Sequence, residues 1–333
     1  MTLTVLDVGC SDGFVGAWLR ERYQGDLAID GLELYPQAID LARGRGYRRV
    51  ERGLAEDAPS VFAPASYDVV VAYEVLEHVP DVDRFLTALE AMVRPGGLVM
   101  LSTPAGTFGT GHNPHHLRCY RAVDLADLAR RRGRLADMDV GSDGIATVSY
   151  TPEPRLADVA IYTGPSWMTW SPIDIARKGL GGSETAAVRL AEQLSEIGWV
   201  VTVYGQVDEM AYRDVIYRSW QTWDPMEPRQ AVISSRIPAI FDRPVAARKR
   251  ILWLHDVDVG DELTPRRAEV IDYVLTLSRW HEQHVGDRYP FLREKIVRTR
   301  NGIDLATFGL EFAPGGIVPA PGPVKVRAGE PIG

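Results

Sequence analysis

The sequence predicts an α/β protein built from two doubly wound parallel sheets, one in each half of the chain. Three observations predict it. Residues 3–16, LTVLDVGCSDGFVG, read as a buried strand, a glycine turn and a helix in immediate succession. Further apolar runs at 27–32, 48–52, 68–73 and 98–102 alternate with helical spacing. A second alternation then begins at Asp158, past the stiff segment Thr151-Pro152-Glu153-Pro154. A chain of 333 residues suits two domains of ordinary size. The expected boundaries are a first domain at 1–150, a linker at 151–156, a second domain at 157–308 and a proline- and glycine-rich, disordered tail at 309–333.

In the first half, Leu3 to Val8 is the opening strand. Gly9-Cys10-Ser11-Asp12-Gly13 is a tight turn, and Phe14 to Tyr23 is a helix with Phe14, Val15, Trp18 and Leu19 on one side. Glycines at 9 and 13 permit backbone conformations that a Cβ blocks, and the helix start behind them offers free N–H groups. The next strand, 27–32, ends at Glu33, where an acid can accept both hydroxyls of a ribose. The spacing Gly9-x-Ser11-x-Gly13-x-x-Gly16 is a poor match to a dinucleotide fingerprint. Pro36 opens a helix to about Arg45, a turn at Gly44–Gly46 leads to the strand 48–52, and 53–66 reads as a polar loop. The strand 68–73 runs into Glu74-Val-Leu-Glu77-His78-Val79. The helix 81–93 carries Phe85, Leu86, Leu89 and Met92 toward the sheet, and Arg94-Pro-Gly-Gly97 turns into the strand 98–102.

A long glycine-rich loop, 102–120, follows, and long loops are often functional. It holds His112, His115 and His116. Imidazoles bind metals, but no carboxylate accompanies them in the loop and Cys119 is its one cysteine, so no metal is expected there. The histidines serve as a base, as acceptor contacts or as structural groups. A helix at 123–132 ends in Arg130-Arg131-Arg132-Gly133-Arg134, which reads as a solvated, dipole-matched terminus. Short strands near 135–140 and 145–150 would complete a seven-stranded sheet.

Composition excludes several classes. Hydrophobic residues make up 45% and charged residues 25%, as in ordinary globular proteins, and the net charge is −8, which disfavours nucleic acid as a partner. Cys10 and Cys119 are too few for a disulfide framework. No run approaches the ~18 apolar residues of a membrane span. The chain enters a core strand at once, so no signal peptide is expected and the cytoplasm is the default location.

Four blocks in order, VLDVGCSDG (5–13), GLEL (31–34), YDVVVAYEVLEHV (67–79) and RPGGLVMLSTP (94–104), resemble the class I S-adenosylmethionine-dependent methyltransferases. The resemblance covers 1–150 and implies a Rossmann-like domain with S-adenosylmethionine as cofactor. By it, Asp7 steadies the glycine turn near the methionine end, Gly9, Ser11 and Gly13 line the cofactor, and Glu33 holds the ribose. Glu56 and Asp57 lie beside adenine, and Tyr73 and Glu74 face the sulfonium and the acceptor. Where many relatives have an acid, this chain has Leu54, which cannot bond the adenine amino group. The catalytic candidates are Glu74, His78, His115 and His116, since a hydroxyl acceptor needs a base. Relatives usually carry a helical segment ahead of the first strand; here the first strand stands at the start.

The second half resembles the N-terminal, Rossmann-like domain of GT-B-type retaining glycosyltransferases. The resemblance rests on KGLGGSETAAVRLAEQLSEIGWVVTVYG (178–205), LWLHD (252–256), LSRWHEQH (277–284) and RNGID (300–304). It implies that Gly181, Gly182, Ser183 and Glu184 approach the phosphates of a nucleotide sugar or its acceptor. The second domain that such enzymes need is not expected in the residues after Phe308. The combination suggests methylation of a small-molecule or saccharide acceptor. The alternatives are a glycosyltransferase that needs a partner, or a non-catalytic two-domain binding module.

Overall fold

The structure is a computed structural model, and it describes residues 2–106, 113–257, 259–302, 310–313 and 316–319. Strand β1 (Leu3–Val8) pairs in parallel with β2 (Leu27–Glu33) on one side, placing Asp7 opposite Gly31. On its other side it pairs in parallel with β4 (Tyr67–Tyr73), placing Asp7 opposite Val71. With β3 (Arg49–Arg52), β5 (Val93–Pro104), β6 (Gly133–Val140) and β7 (Ile145–Pro152), the first sheet has the order β3-β2-β1-β4-β5-β7-β6. Strand β7 runs antiparallel to both neighbours, because the turn from Gly141 to Gly144 folds it straight back on β6. The order reverses between β1 and β4, so the crevice for a ligand opens at their carboxyl ends.

Helices α1 (Phe14–Arg22), α2 (Pro36–Gly44), α3 (Ala58–Val61), α4 (Val82–Met92) and α5 (Ala122–Arg132) cover this sheet. The Asp81 side chain caps α4 by accepting from Arg84 N at 3.0 Å, and Phe85, Leu86, Leu89 and Met92 are fully buried. Two expectations need correction. Only Val15 and Leu19 of the α1 stripe pack inward, while Phe14 and Trp18 are 59% and 45% exposed. The core face of α1 is instead set by Gly16, which lies flat against the Tyr47 ring. The stretch 53–66 is not a plain loop: it holds a 3₁₀ turn, Ala55–Asp57, and α3.

The second half forms its own sheet from β8 (Asp158–Gly164), β9 (Val200–Gly205), β10 (Met210–Tyr212), β11 (Val215–Ser219), β12 (Arg229–Ser235), β13 (Ala247–Trp253), β14 (Tyr273–Thr276) and β15 (Ile296–Arg298). The order is β10-β11-β9-β8-β12-β13-β14-β15, parallel except for the edge strand β10. This too is a doubly wound order, reversing between β8 and β12. Its helices are α6 (Asp174–Arg177), α7 (Gly182–Glu196), α8 (Pro265–Val270) and α9 (Arg279–Arg288). Beyond it, β16 (Leu310–Ala313) and β17 (Gly316–Pro319) pair antiparallel, so part of the tail expected to be disordered is a hairpin. His112, and Ile303 and Asp304 of the RNGID block, lie outside the described residues. Among the described residues no helix is long and apolar enough to cross a membrane.

The basic run is not a solvated end. Arg130 is fully buried between the two halves, where its guanidinium meets Asp127 at 2.6 Å and donates to Thr202 Oγ1 at 2.6 Å. Arg131 reaches Asp158 at 2.8 Å, and Arg218, coming from β11, meets Asp124 at 2.8 Å. Val123 and Ala126 of α5 pack on Ile216 beneath these ions. The linker is anchored as well: Arg155 pairs with Asp214 at 2.5 Å. The sequence hid this because a run of arginines after a helix has the same local signature whether water or a second domain lies beyond it.

Candidate functional site

The site is built at the carboxyl ends of β1, β2 and β4. Gly9 and Gly13 adopt φ of +74° and +86°, and a Cβ on Gly9 would stand 2.5 Å from Val75 Cγ2. Gly9 N and Cys10 N both donate to Leu32 O, at 2.8 and 3.1 Å, which ties the turn to the end of β2. There the Glu33 carboxylate accepts from Ser11 N at 2.8 Å and from Tyr35 N at 2.8 Å. Its main-chain oxygen accepts from Gly53 N at 3.1 Å. One buried acid thus gathers the ends of β1, β2 and β3. Each carboxylate oxygen has a second lone pair left for a ligand hydroxyl.

Asp7 is almost fully buried. Its Oδ2 accepts a short hydrogen bond from the Tyr47 hydroxyl, which itself accepts from Gly16 N at 2.9 Å. Its Oδ1 has no partner among the described residues. Burial pushes the Asp7 carboxyl up to about 7, with Tyr47 opposing and the charge of Glu33 adding to the rise. Tyr47 is the residue that sequence reasoning missed. Its ring fits only because Gly13, Gly16 and Gly31 lack side chains: a Cβ on any of them would stand 3.0 Å or less from the ring. The only available signal was an aromatic residue directly after the Gly46 turn.

Glu74, at the end of β4, has φ +55° and is held through its N–H to Ser102 Oγ at 3.0 Å. Tyr73 beside it is half-buried, and burial raises its hydroxyl above the usual value. Glu56 is half-buried in the 3₁₀ turn, and Asp57 is committed to Arg84 at 3.2 Å. Leu54 is half exposed at this edge.

The histidine segment does not stand apart from acids. Leu117 N donates to Glu77 O at 2.7 Å, and Arg118 donates to the carbonyls of Val79 and Pro80, fastening residues 115–118 to the tip of β4. His78 and His116 then meet edge to face with ring centres 4.8 Å apart. Glu77 is 1% exposed, and neither of its carboxylate oxygens has a hydrogen-bond partner among the described residues. Burial raises its carboxyl above the ordinary value, with its own backbone N–H, His78 and Thr103 pulling the other way. His115 enters through its carbonyl oxygen, 3.1 Å from His78 Nδ1, and the residue is exposed. In the second half, the Ser183 hydroxyl accepts from Arg236 at 2.9 Å and donates to Glu184 at 3.0 Å, beside the Gly181-Gly182 start of α7.

A seven-stranded sheet of this order, with a reversed strand next to its far edge, a glycine turn after β1 and an acid ending β2, is the architecture of class I S-adenosylmethionine-dependent methyltransferases. Residues 2–140 are such a domain and match the family described as Methyltransferase domain. The chain is 42% identical over 103 residues to a ubiquinone biosynthesis O-methyltransferase of Leptothrix cholodnii, covering 30% of this chain and 44% of that one. It is 33% identical over 167 residues to a probable S-adenosylmethionine-dependent methyltransferase of Mycobacterium tuberculosis, covering 49% of this chain and 57% of that one. The chain thus spans about half the length of these curated relatives. A solved structure titled as a possible histamine N-methyltransferase of Thermotoga maritima aligns over 45% of this chain and 82% of its own, at 18% identity and a TM-score of 0.38. The family and relatives imply S-adenosylmethionine as the cofactor. The residues fit it, since Glu33 retains free lone pairs for vicinal hydroxyls and Asp7 Oδ1 is a buried acceptor lacking a donor among the described residues.

Proposed function

We propose that this chain methylates a hydroxyl group of a small-molecule acceptor, a saccharide being the acceptor class that the second domain suggests. The observation that carries the reading is the Glu33 carboxylate fixed 2.8 Å from Ser11 N, so that the acid and the glycine turn form one cradle. In it Glu33 accepts the ribose hydroxyls, Asp7 accepts from the amino end, and Gly9, Ser11 and Gly13 offer backbone to the chain between. Glu56 and Asp57 border the adenine side, with Asp57 already neutralised by Arg84. The cofactor supplies a methyl group on a positively charged sulfur, which is already a good leaving group. The protein is left to align the acceptor and exclude water. Tyr73 and Glu74 stand where the acceptor approaches, and Glu74 takes the hydroxyl proton. The reading of an oxygen acceptor draws on the O-methyltransferase relative.

Titration with S-adenosylhomocysteine tests this. Glu33→Ala removes two charge-assisted hydrogen bonds to the ligand. At roughly 1.5–3 kcal/mol for a hydrogen bond to a charged group, even one such loss weakens binding by roughly 10- to 150-fold. Undiminished affinity in both Glu33→Ala and Asp7→Ala would refute the assignment.

A second reading concerns the other half. Arg236 beside the uncapped start of α7 supports a phosphate-bearing ligand at Gly181, Gly182, Ser183 and Glu184, such as a nucleotide sugar. Uridine diphosphate glucose should raise the melting temperature of the chain, and a shift that survives Arg236→Ala would exclude this place for it.

A further inference from the structure

We propose that Glu77, His78 and His116 bind a divalent transition-metal ion at the tip of β4. Each residue offers one ligand atom, and the three atoms lie within 4.8 Å of one another. Bonds of about 2.1 Å in a tetrahedral centre set ligand atoms about 3.4 Å apart, so a movement of roughly an ångström closes the set.

Three independent features support an ion here. Glu77 is 1% exposed and both carboxylate oxygens lack a donor among the described residues, a costly state for a buried acid that a cation relieves. His78 lies with Nδ1 3.1 Å from the carbonyl oxygen of His115. Donation of an Nδ1–H to that carbonyl leaves Nε2 as the lone-pair nitrogen, the usual outer-shell arrangement behind a metal-bound imidazole. His116 is brought in from a distant part of the chain and held by the Leu117 and Arg118 hydrogen bonds to residues 77–80, so the ligand set is assembled before any ion arrives. Two imidazoles and one carboxylate select zinc, cobalt, iron(II) or manganese over magnesium or calcium, which prefer all-oxygen shells. Three protein ligands leave coordination positions open. Val75, two residues before Glu77, is the side chain against which Gly9 of the cofactor turn packs. Resting on the methyltransferase reading, the ion has the task of orienting and acidifying the acceptor hydroxyl, which makes the acceptor an oxygen nucleophile.

The test uses the full chain, free of any affinity tag, stripped with a chelator and titrated with cobalt(II). We expect stoichiometric binding with a visible d–d absorption band. Glu77→Gln and His116→Ala should each weaken cobalt binding by roughly 100-fold or more and abolish the band. His284→Ala, in the second domain, should leave both unchanged. Far-UV ellipticity and S-adenosylhomocysteine affinity are measured on every variant. Cobalt binding that is absent in the folded wild-type chain, or that survives both substitutions, overturns the metal site. Cobalt binding lost as expected in variants that keep their ellipticity supports it. Loss of S-adenosylhomocysteine binding with cobalt binding intact would overturn the methyltransferase reading and leave the metal site standing.

Discussion

The Asp7–Tyr47–Gly16 chain makes a sharp stability prediction. In the folded protein burial holds the Asp7 carboxyl near 7, against an ordinary value of 3.8. Between those values the folded chain keeps a proton that the unfolded chain releases. The folded state therefore binds more protons, and stability falls as pH rises from about 4 to about 7. Each tenfold difference in proton affinity between the two states is worth about 1.4 kcal/mol, so Asp7 costs on the order of 4 kcal/mol once fully ionised. Asp7→Asn removes the titration while keeping an oxygen to accept from Tyr47. Urea unfolding followed by far-UV ellipticity, repeated from pH 4 to 8, should show this variant gaining on the wild type as pH rises, with the gain levelling off above about pH 7. Tyr47→Phe acts in the opposite sense. It strips Oδ2 of the hydroxyl that donates to it and leaves Gly16 N unsatisfied, at about 1–3 kcal/mol for each group. Its penalty should be larger at pH 8, where Asp7 is charged, than at pH 5. Parallel stability profiles for wild type and Asp7→Asn across pH 4–7.5 would refute the reasoning.

Two further outcomes are expected. Asp127→Ala leaves the fully buried Arg130 without its carboxylate and should cost about 3–5 kcal/mol, whereas Arg130→Met should cost less, because Asp127 keeps Arg131 and Arg218; equal penalties in calorimetry would show that the buried cation is not what matters. His255 is held down at about 4 by burial, and secondly by Arg236, so the unfolded chain binds the extra proton between pH 4 and 6.5 and stability drops as pH falls through that window. His255→Phe keeps the contact with Trp253 and should flatten that drop; an unchanged acid limb would refute it.

The two halves differ in what joins them to function. The ions around Arg130 and the apolar contact of Val123 and Ala126 with Ile216 set α5 of the first domain directly on β9 and β11 of the second. Helix α5 also follows the segment that carries His116. The two halves therefore meet through one packed helix, and not only through the covalent linker.

The sequence by itself determined the seven strands of the first sheet and the presence of a second sheet, because strand runs, glycine turns and amphipathic helices are local patterns whose burial follows from periodicity. Glu33 at a strand end and Gly9 and Gly13 after the first strand were legible for the same reason, since their positions are fixed by neighbours in the chain. Strands β10 and β11 were missed because they are brief, and β12, Arg229–Ser235, because polar residues at both its ends leave only a short apolar run between them. Only the tertiary structure decided what meets across the chain. Tyr47 reaches Asp7 because three glycines clear a path for its ring, and Glu77 meets His116 because hydrogen bonds from Leu117 and Arg118 fasten a remote loop to the end of β4. Arg130 turns from a solvent-facing charge into a buried one because a second domain closes over it. Each depends on what stands opposite a side chain in space, and periodicity along one chain carries no record of that.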